Sequence, residues 1–405
     1  MQHKRKPARL SKYPVSIIAV RKIIVEKGQF EMPTKKSATA LIVLLMCACS
    51  VQQAFAASAS SALLKAKKEA ELKGYVFFTD KAEIVSKAKA EGKLRILMGL
   101  SGSIQATTEA FRKKYPFINI YVEEIKNPDA GQRLLLEVTA GAARDWDIMR
   151  VHSDFYREWL PHLWKADLLG MAEHGVVQVP PEMIDPKQRN VMALVSRFEV
   201  VAYNKNLVAP GQLPKTWEDM LKPEWKGRKF GADIRPQELA ALVPAWGLDK
   251  TADYARKIAA QQPIWARGGS RPLAALAAGE IPLYLFGVNY GSVTRAQRKD
   301  PLGVVQFITL EPVPVRIGVE QAILETSQNR HAALLWLEFL AGEEAQKLLD
   351  QYEPLTASVY SKGSAAEQAL RGKKLSVVSW ENNEKMEQWI AKLVEAYGFP
   401  KAAVK

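Results

Sequence analysis

Short apolar strands alternating with helices constrain this chain more than any other feature. Leu94-Arg-Ile-Leu-Met98 reads as a buried strand closed by Gly99-Leu-Ser-Gly-Ser103. Ile104 to Lys114 follows with helical spacing, and Tyr115-Pro116 stops it. Ile118 to Val122 is the next strand, Ala130 to Ala142 a helix, and Asp147 to Val151 a third strand. Strands separated by helices of about 10–15 residues predict parallel α/β units. Phe198 to Asn204 reads as a further strand, after which Pro, Lys and Trp crowd the stretch from Pro210 to Pro236. Another α/β set begins beyond it. Helices are expected over 240–246, 253–261 and 272–278, Ile281 to Phe286 is extended, and 304–323 is strand-like and marked by prolines. Ala332 to Leu349 reads as one amphipathic helix and Glu384 to Ala396 as another. Two such sets in 405 residues favour two lobes over one.

Ahead of this pattern stand Lys35-Lys36, an apolar run from Ala38 to Cys49, and Ala54-Phe-Ala56. Charged region, short apolar region and small-residue cleavage site are the parts of a secretory signal. About 12 apolar residues make a helix of roughly 18 Å, short of a hydrocarbon core of about 30 Å. Export to the periplasm is therefore expected, with residues 1–56 an N-terminal extension and cleaved signal; the simplest account starts translation at Met32, and a long cytoplasmic n-region is the alternative. Ala48-Cys49 weakly resembles a lipoprotein cleavage box, so a lipid anchor at Cys49 is the alternative. Residues 57–92 are charged and alanine-rich, a helical lead-in.

The formal charge of +14 invites a nucleic-acid reading, which the signal removes. Residues 1–56 hold ten Lys and Arg against Glu26 and Glu31, a net +8, so the rest carries +6. That diffuse excess steers anions without making a phosphate-tracking stripe. Both cysteines, Cys47 and Cys49, lie inside the apolar run, so the mature chain has no thiol for a disulfide, metal site or nucleophile. No nucleophile with a nearby base and no paired-carboxylate motif stands out, which argues against an enzyme.

Four segments resemble the periplasmic solute-binding proteins of ATP-binding-cassette importers, in the group that includes ferric, polyamine, thiamine and phosphonate receptors. They are Ser101-Gly-Ser103 running into Glu109 to Pro116; Thr216-Trp-Glu-Asp-Met-Leu-Lys-Pro-Glu-Trp-Lys-Gly227; Ala277-Ala-Gly-Glu-Ile-Pro-Leu283; and His331 to Gln346. The stretch from Thr216 to Gly227 is similar to the family's W-x-D-L-x-x-P-x-W-K-G segment, and the stretch from His331 lacks the family's usual proline after the histidine. The resemblance implies an α/β, two-lobed type II periplasmic-binding-protein fold, with ligand captured in an interlobe cleft by hinge closure. It places 93–200 plus 315–362 in the first lobe and 201–314 in the second, with the chain crossing near Ala202-Tyr-Asn204 and returning near Pro312 to Arg316. The tail, 363–405, belongs to either. It also implies a monomer that needs no cofactor and hands its small-molecule ligand to a membrane permease.

Ligands of parallel α/β lobes sit beyond the carboxyl ends of strands, where helix N-termini offer free N–H groups. Ser101, Gly102 and Ser103 fit that description, as do Arg267 to Arg271, with Ser270 opening a helix, and Asn289 and Tyr290. Arg235, Arg267, Arg271 and Arg316 all fall at expected strand ends or helix starts, and a guanidinium clamps a carboxylate or phosphonate bidentately. Asp154, after the third strand beside His152, completes the candidate ligand-binding set. Ferric receptors of the group use adjacent tyrosines; here Asn289-Tyr290-Gly291 retains only one. Arginines outnumber cleft carboxylates, so a small anionic solute is expected. A ferric-ion or polyamine receptor, or a periplasmic ligand sensor of the same fold, is the alternative.

Overall fold

The computed structural model describes residues 61–125, 128–142, 145–151, 155–352 and 356–399. The signal segment, His152 and Asp154 lie outside the described residues. In chain order the elements used below are α1 (Lys81–Glu91), β1 (Lys93–Met98), α2 (Ile104–Lys114), β2 (Asn119–Glu124), α3 (Pro128–Thr139), β3 (Ile148–Val151) and α4 (Tyr156–Trp159). Then come β4 (Val191–Phe198), β5 (Val201–Asn204), β6 (Gly231–Asp233), α5 (Gln237–Ala240), α6 (Leu248–Ala260), β7 (Ile264–Ala266), α7 (Ser270–Ala277), β8 (Leu283–Leu285), α8 (Tyr290–Gln297) and β9 (Val305–Ile308). The chain ends with β10 (Val313–Ile323), α9 (Arg330–Ala341), α10 (Glu343–Tyr352), β11 (Leu375–Val378), α11 (Trp380–Asn383) and α12 (Met386–Tyr397).

Two sheets result. The first has the order β11-β10-β3-β1-β2, with β4 also on β10; the other is β7-β6-β8-β5-β9. The βα units behave as their pattern predicts: β1 pairs β2 and β3 in parallel, and β6 pairs β7 and β8 in parallel. Antiparallel pairs arise where the lobes connect. β10 runs against β3 and β4, and β5 against β8 and β9. These strands lead from one lobe to the other, so they enter each sheet opposite to its own βα units.

The expected strand Phe198 to Asn204 is in fact two. β4 ends at Phe198 in the first sheet and β5 begins at Val201 in the second, so Glu199-Val200 is the crossing. The return lies between Ile308 and Val313. A third passage runs through the tail, where β11 extends the first sheet and α12 buries Trp389, Leu393 and Tyr397 in the second lobe's core.

The expected helix over 332–349 also divides, at Gly342. In α9 every residue from Ala332 to Ala341 is buried, whereas α10 keeps one apolar face. A helix buried on every side, with its single acid Glu338 paired to Lys81, fits only inside a core, and α9 is the centre of the first lobe's. A separate apolar cluster joins Phe198 and Val200 to Val288, Val313 and Val315, and so packs the hinge itself.

Candidate functional site

The carboxyl ends of β6 and β7 are drawn together by a buried carboxylate, and β8 joins them through Tyr284. Asp233, 1% exposed, accepts the backbone N–H groups of Arg235 and Gly268, each at 2.8 Å, and pairs with the Arg235 guanidinium at 3.3 Å. Two loops thus close on one side chain. Gly268 takes a left-handed φ of 75°, and Tyr284 Oη donates to its carbonyl at 2.7 Å. At Gly269 a Cβ would lie 2.8 Å from the Gly287 carbonyl, so only glycine lets the β7 and β8 loops approach this closely. Arg267, Ser270 and Arg271 are exposed beside this junction, and α7 begins at Ser270. Among the described residues no carboxylate lies within ion-pair distance of Arg267 or Arg271.

Asn289 caps α8: its side chain accepts the Ser292 N–H at 2.9 Å, and the Ser292 hydroxyl donates to the Asn289 carbonyl at 2.7 Å. That is the ordinary work of an Asn before a helix. Tyr290 stacks on Phe198 with ring centroids 4.6 Å apart and meets Phe307 edge-on at 4.9 Å. Burial raises its pKa first, and Asp350 adds to the effect. The phenol is thereby fixed at the crossing between lobes, since the Glu199 backbone bridges to Asn289 and Val200 N–H donates to the Val288 carbonyl.

Arg316 is held differently from the other arginines. Its guanidinium donates to Glu199 Oε1 at 3.1 Å and to Glu238 Oε1 at 3.3 Å. Glu199 sits at the crossing and Glu238 on α5, so this triad ties β10 to the second lobe. Burial pushes the Glu238 carboxyl up to about 8, with the Glu199 charge adding and Arg316 opposing. Burial also raises Glu199, against the pull of Arg316. Two acids around one guanidinium leave Arg316 little capacity for a ligand in this conformation.

Reading strand ends from the sequence missed Arg197. It stands opposite Arg316 in the β4–β10 register, and its side chain is exposed within a recess crowded by protein. Loss of hydration lowers its pKa first, and the like charges of Arg316 and Arg150 lower it further. Among the described residues it has no carboxylate within ion-pair distance. Arg150, at the end of β3, lies so close to Gly99 that a Cβ there would meet its Nη1 at 2.9 Å. Arg150 was findable by the strand-end argument; Arg197 was hidden because β4 itself went unrecognised.

The first lobe's serine turn plays a smaller part than its residues suggest. Leu100 at φ 71° starts a single 3-10 turn over Ser101–Ser103 that runs straight into α2. Ser103 is wholly buried and donates its hydroxyl to the Leu100 carbonyl at 3.0 Å. Gly102 is exposed. The structure therefore gathers Arg235, Asn289, Tyr290 and Arg316 around the crossing, with Arg267, Ser270 and Arg271 on the adjacent rim. The serine turn lies on the other lobe, next to Gly99 and Arg150.

The sequence matches the family model described as bacterial extracellular solute-binding protein over residues 99–347. Iron uptake protein A1 of Synechocystis is 26% identical over 229 residues, which is 50% of this chain and 63% of that protein. The Fe(3+)-binding periplasmic protein of Serratia marcescens is 23% identical over 181 residues, 43% of this chain and 53% of that protein. The chain thus spans less than two thirds of the length of these curated relatives. Among solved structures, Trichodesmium IdiA (FutA) in complex with iron and citrate aligns with 76% of this chain and all of its own at a TM-score of 0.56 and 20% identity. That likeness establishes the two-lobed periplasmic-binding-protein fold.

Proposed function

The chain belongs to the bacterial extracellular solute-binding proteins, and on that premise we propose that it captures ferric iron, still wrapped in small carboxylates, in the periplasm. It hands this cargo to the permease of an ATP-binding-cassette importer and performs no chemistry of its own. The observation that carries the reading is a mismatch between its relatives and its side chains. The relatives are named for iron, yet among the described residues no three His, Cys, Asp or Glu stand together as a metal site. The cleft offers guanidinium groups and one phenol instead.

A hard, highly charged cation takes oxygen donors. A carboxylate chelate brings its own, and its outward oxygens present the forks that arginine grips bidentately. Arg197, Arg267 and Arg271, which have no carboxylate within ion-pair distance among the described residues, take that role, and Tyr290 adds a hydroxyl at the crossing. Each charged hydrogen bond contributes roughly 1.5–3 kcal/mol, so two or three approach the roughly −8 kcal/mol of micromolar binding. Closure at Glu199-Val200 and 309–312 then sheathes the chelate between lobes.

The absence of a donor cluster among the described residues favours one other reading, a free carboxylate or phosphonate taken without iron. A thermal-shift titration separates the two, because a ligand that binds only the folded state stabilises it by RT ln(1 + [L]/Kd). Ferric citrate should raise Tm well above the effect of citrate alone or of ferric iron held by a bulky hydroxamate. Equal shifts from citrate with and without iron would support the free anion, and a shift from spermidine alone would reject both.

A further inference from the structure

A cavity of about 760 Å³ has neither the cleft arginines nor Tyr290 among its lining residues. One wall is the first lobe, through α4 and the turn at Asp185 to Lys187; the other is the tail, through α11 and the start of α12. Its volume falls in the range of small-molecule sites, about 300–1,000 Å³. Tyr156 and Trp380 form an aromatic corner, with centroids 6.3 Å apart and planes at 40°. Met386 and Ile390 continue the apolar side.

The polar side is strongly acidic. Lys187 already pairs with Glu384 at 3.2 Å. Glu158, Glu381 and Glu387 line the cavity, and among the described residues none has a cation within ion-pair distance. Arg157 is the remaining base in the lining. Tyr156 donates to the Asp185 carboxylate. Its pKa lies well above the usual value, through burial first, then that hydrogen bond and the charges of Asp185, Glu320 and Glu384. A phenol and an indole thus share this lining with three carboxylates that are unpaired among the described residues.

We propose that this cavity binds an organic ammonium ion with an apolar stem, a ligand opposite in charge to the one in the cleft. The ammonium group gains from the aromatic pair and from carboxylates that have no cation within ion-pair distance among the described residues. The stem lies along Met386 and Ile390. Because α12 belongs to the second lobe's core while Tyr156 and Asp185 belong to the first lobe, an occupant bridges the two at the tail passage.

Calorimetric titration of the mature chain with 2-phenylethylammonium, and with 2-phenylethanol as its neutral isostere, tests this. The ammonium is expected to bind one per chain, and at least about tenfold tighter than the alcohol. Glu381→Gln/Glu387→Gln should weaken it about tenfold or more, while Arg197→Ala leaves it unchanged. Trp380→Phe, which keeps an aromatic ring and shields against misfolding, should weaken it by a smaller factor. Equal affinity for the alcohol, no binding, indifference to the glutamate pair, or loss in Arg197→Ala would each overturn the proposal. The ferric-chelate shift is measured on the parent, the glutamate pair and Trp380→Phe; its persistence alongside a failed amine titration separates this site from the function proposed above.

Discussion

Arg316 and Arg197 lie across from each other in one strand ladder, yet their surroundings differ completely. Arg316 is clamped by Glu199 and Glu238, while Arg197 stands in a crowded recess with the like charges of Arg316 and Arg150 nearby and, among the described residues, no carboxylate within ion-pair distance. The rim arginines Arg267 and Arg271 resemble Arg197. A strand-end position therefore says that an arginine is near a cleft, and only its neighbours say whether it holds the fold or awaits a ligand. One group ties the hinge; the other is the recognition surface we propose.

The comparison can be broken most directly at Arg316. Arg316→Ala leaves two buried carboxyls without their cation and should cost about 3–5 kcal/mol in urea unfolding. A loss under about 1 kcal/mol would show that the triad does not hold the lobes. Arg197→Ala should leave unfolding within about 0.5 kcal/mol of the parent yet weaken ferric citrate about 10- to 100-fold by calorimetry. Unchanged affinity would return Arg197 to the scaffold.

Glu238→Gln sharpens the contrast through pH. The folded carboxyl titrates near 8, above its ordinary value of about 4.3. Its neutral form is thus favoured by folding, and the stability it gives is complete below the ordinary value and is lost as pH rises through about 8. The variant should gain on the parent as pH climbs from about 5 to 9, by on the order of a few degrees in Tm. A difference independent of pH would mean that Glu238 is ionised throughout. The smallest effect is expected at the rim: Arg267→Ala and Arg271→Ala should each weaken ferric citrate only a few-fold, because solvent screens what they contribute.

Much of the architecture was legible in the order of residues alone. β1, α2 and β3 appear where apolar runs and breakers put them, because a parallel strand buried on both faces must be apolar throughout. Gly342 and Glu199 show where legibility ended. The 332–349 pattern looked continuous because α9 is buried on every side and α10 shares its period, so one extended glycine was easily read through. Phe198 to Asn204 looked like one strand because both sheets want the same residues there. At the site, Asn289 and the glycines at 268 and 269 were visible as turn chemistry. Ser103 misled, since a serine before a helix looks the same whether its hydroxyl faces a ligand or a carbonyl. Glu238, in a loop-like stretch, gave no signal at all.

What the sequence determined by itself is local: element type, a signal-like segment ahead of an α/β body, and a cationic bias at strand ends. Those follow from side-chain period, turn residues and charge, which need no partner. Which arginine is neutralised, which stands open, and which acids gather beside Trp380 depended on residues 78 to 229 positions apart meeting in space. Electrostatic roles are set by distances of a few ångströms, and only the tertiary fold fixes those.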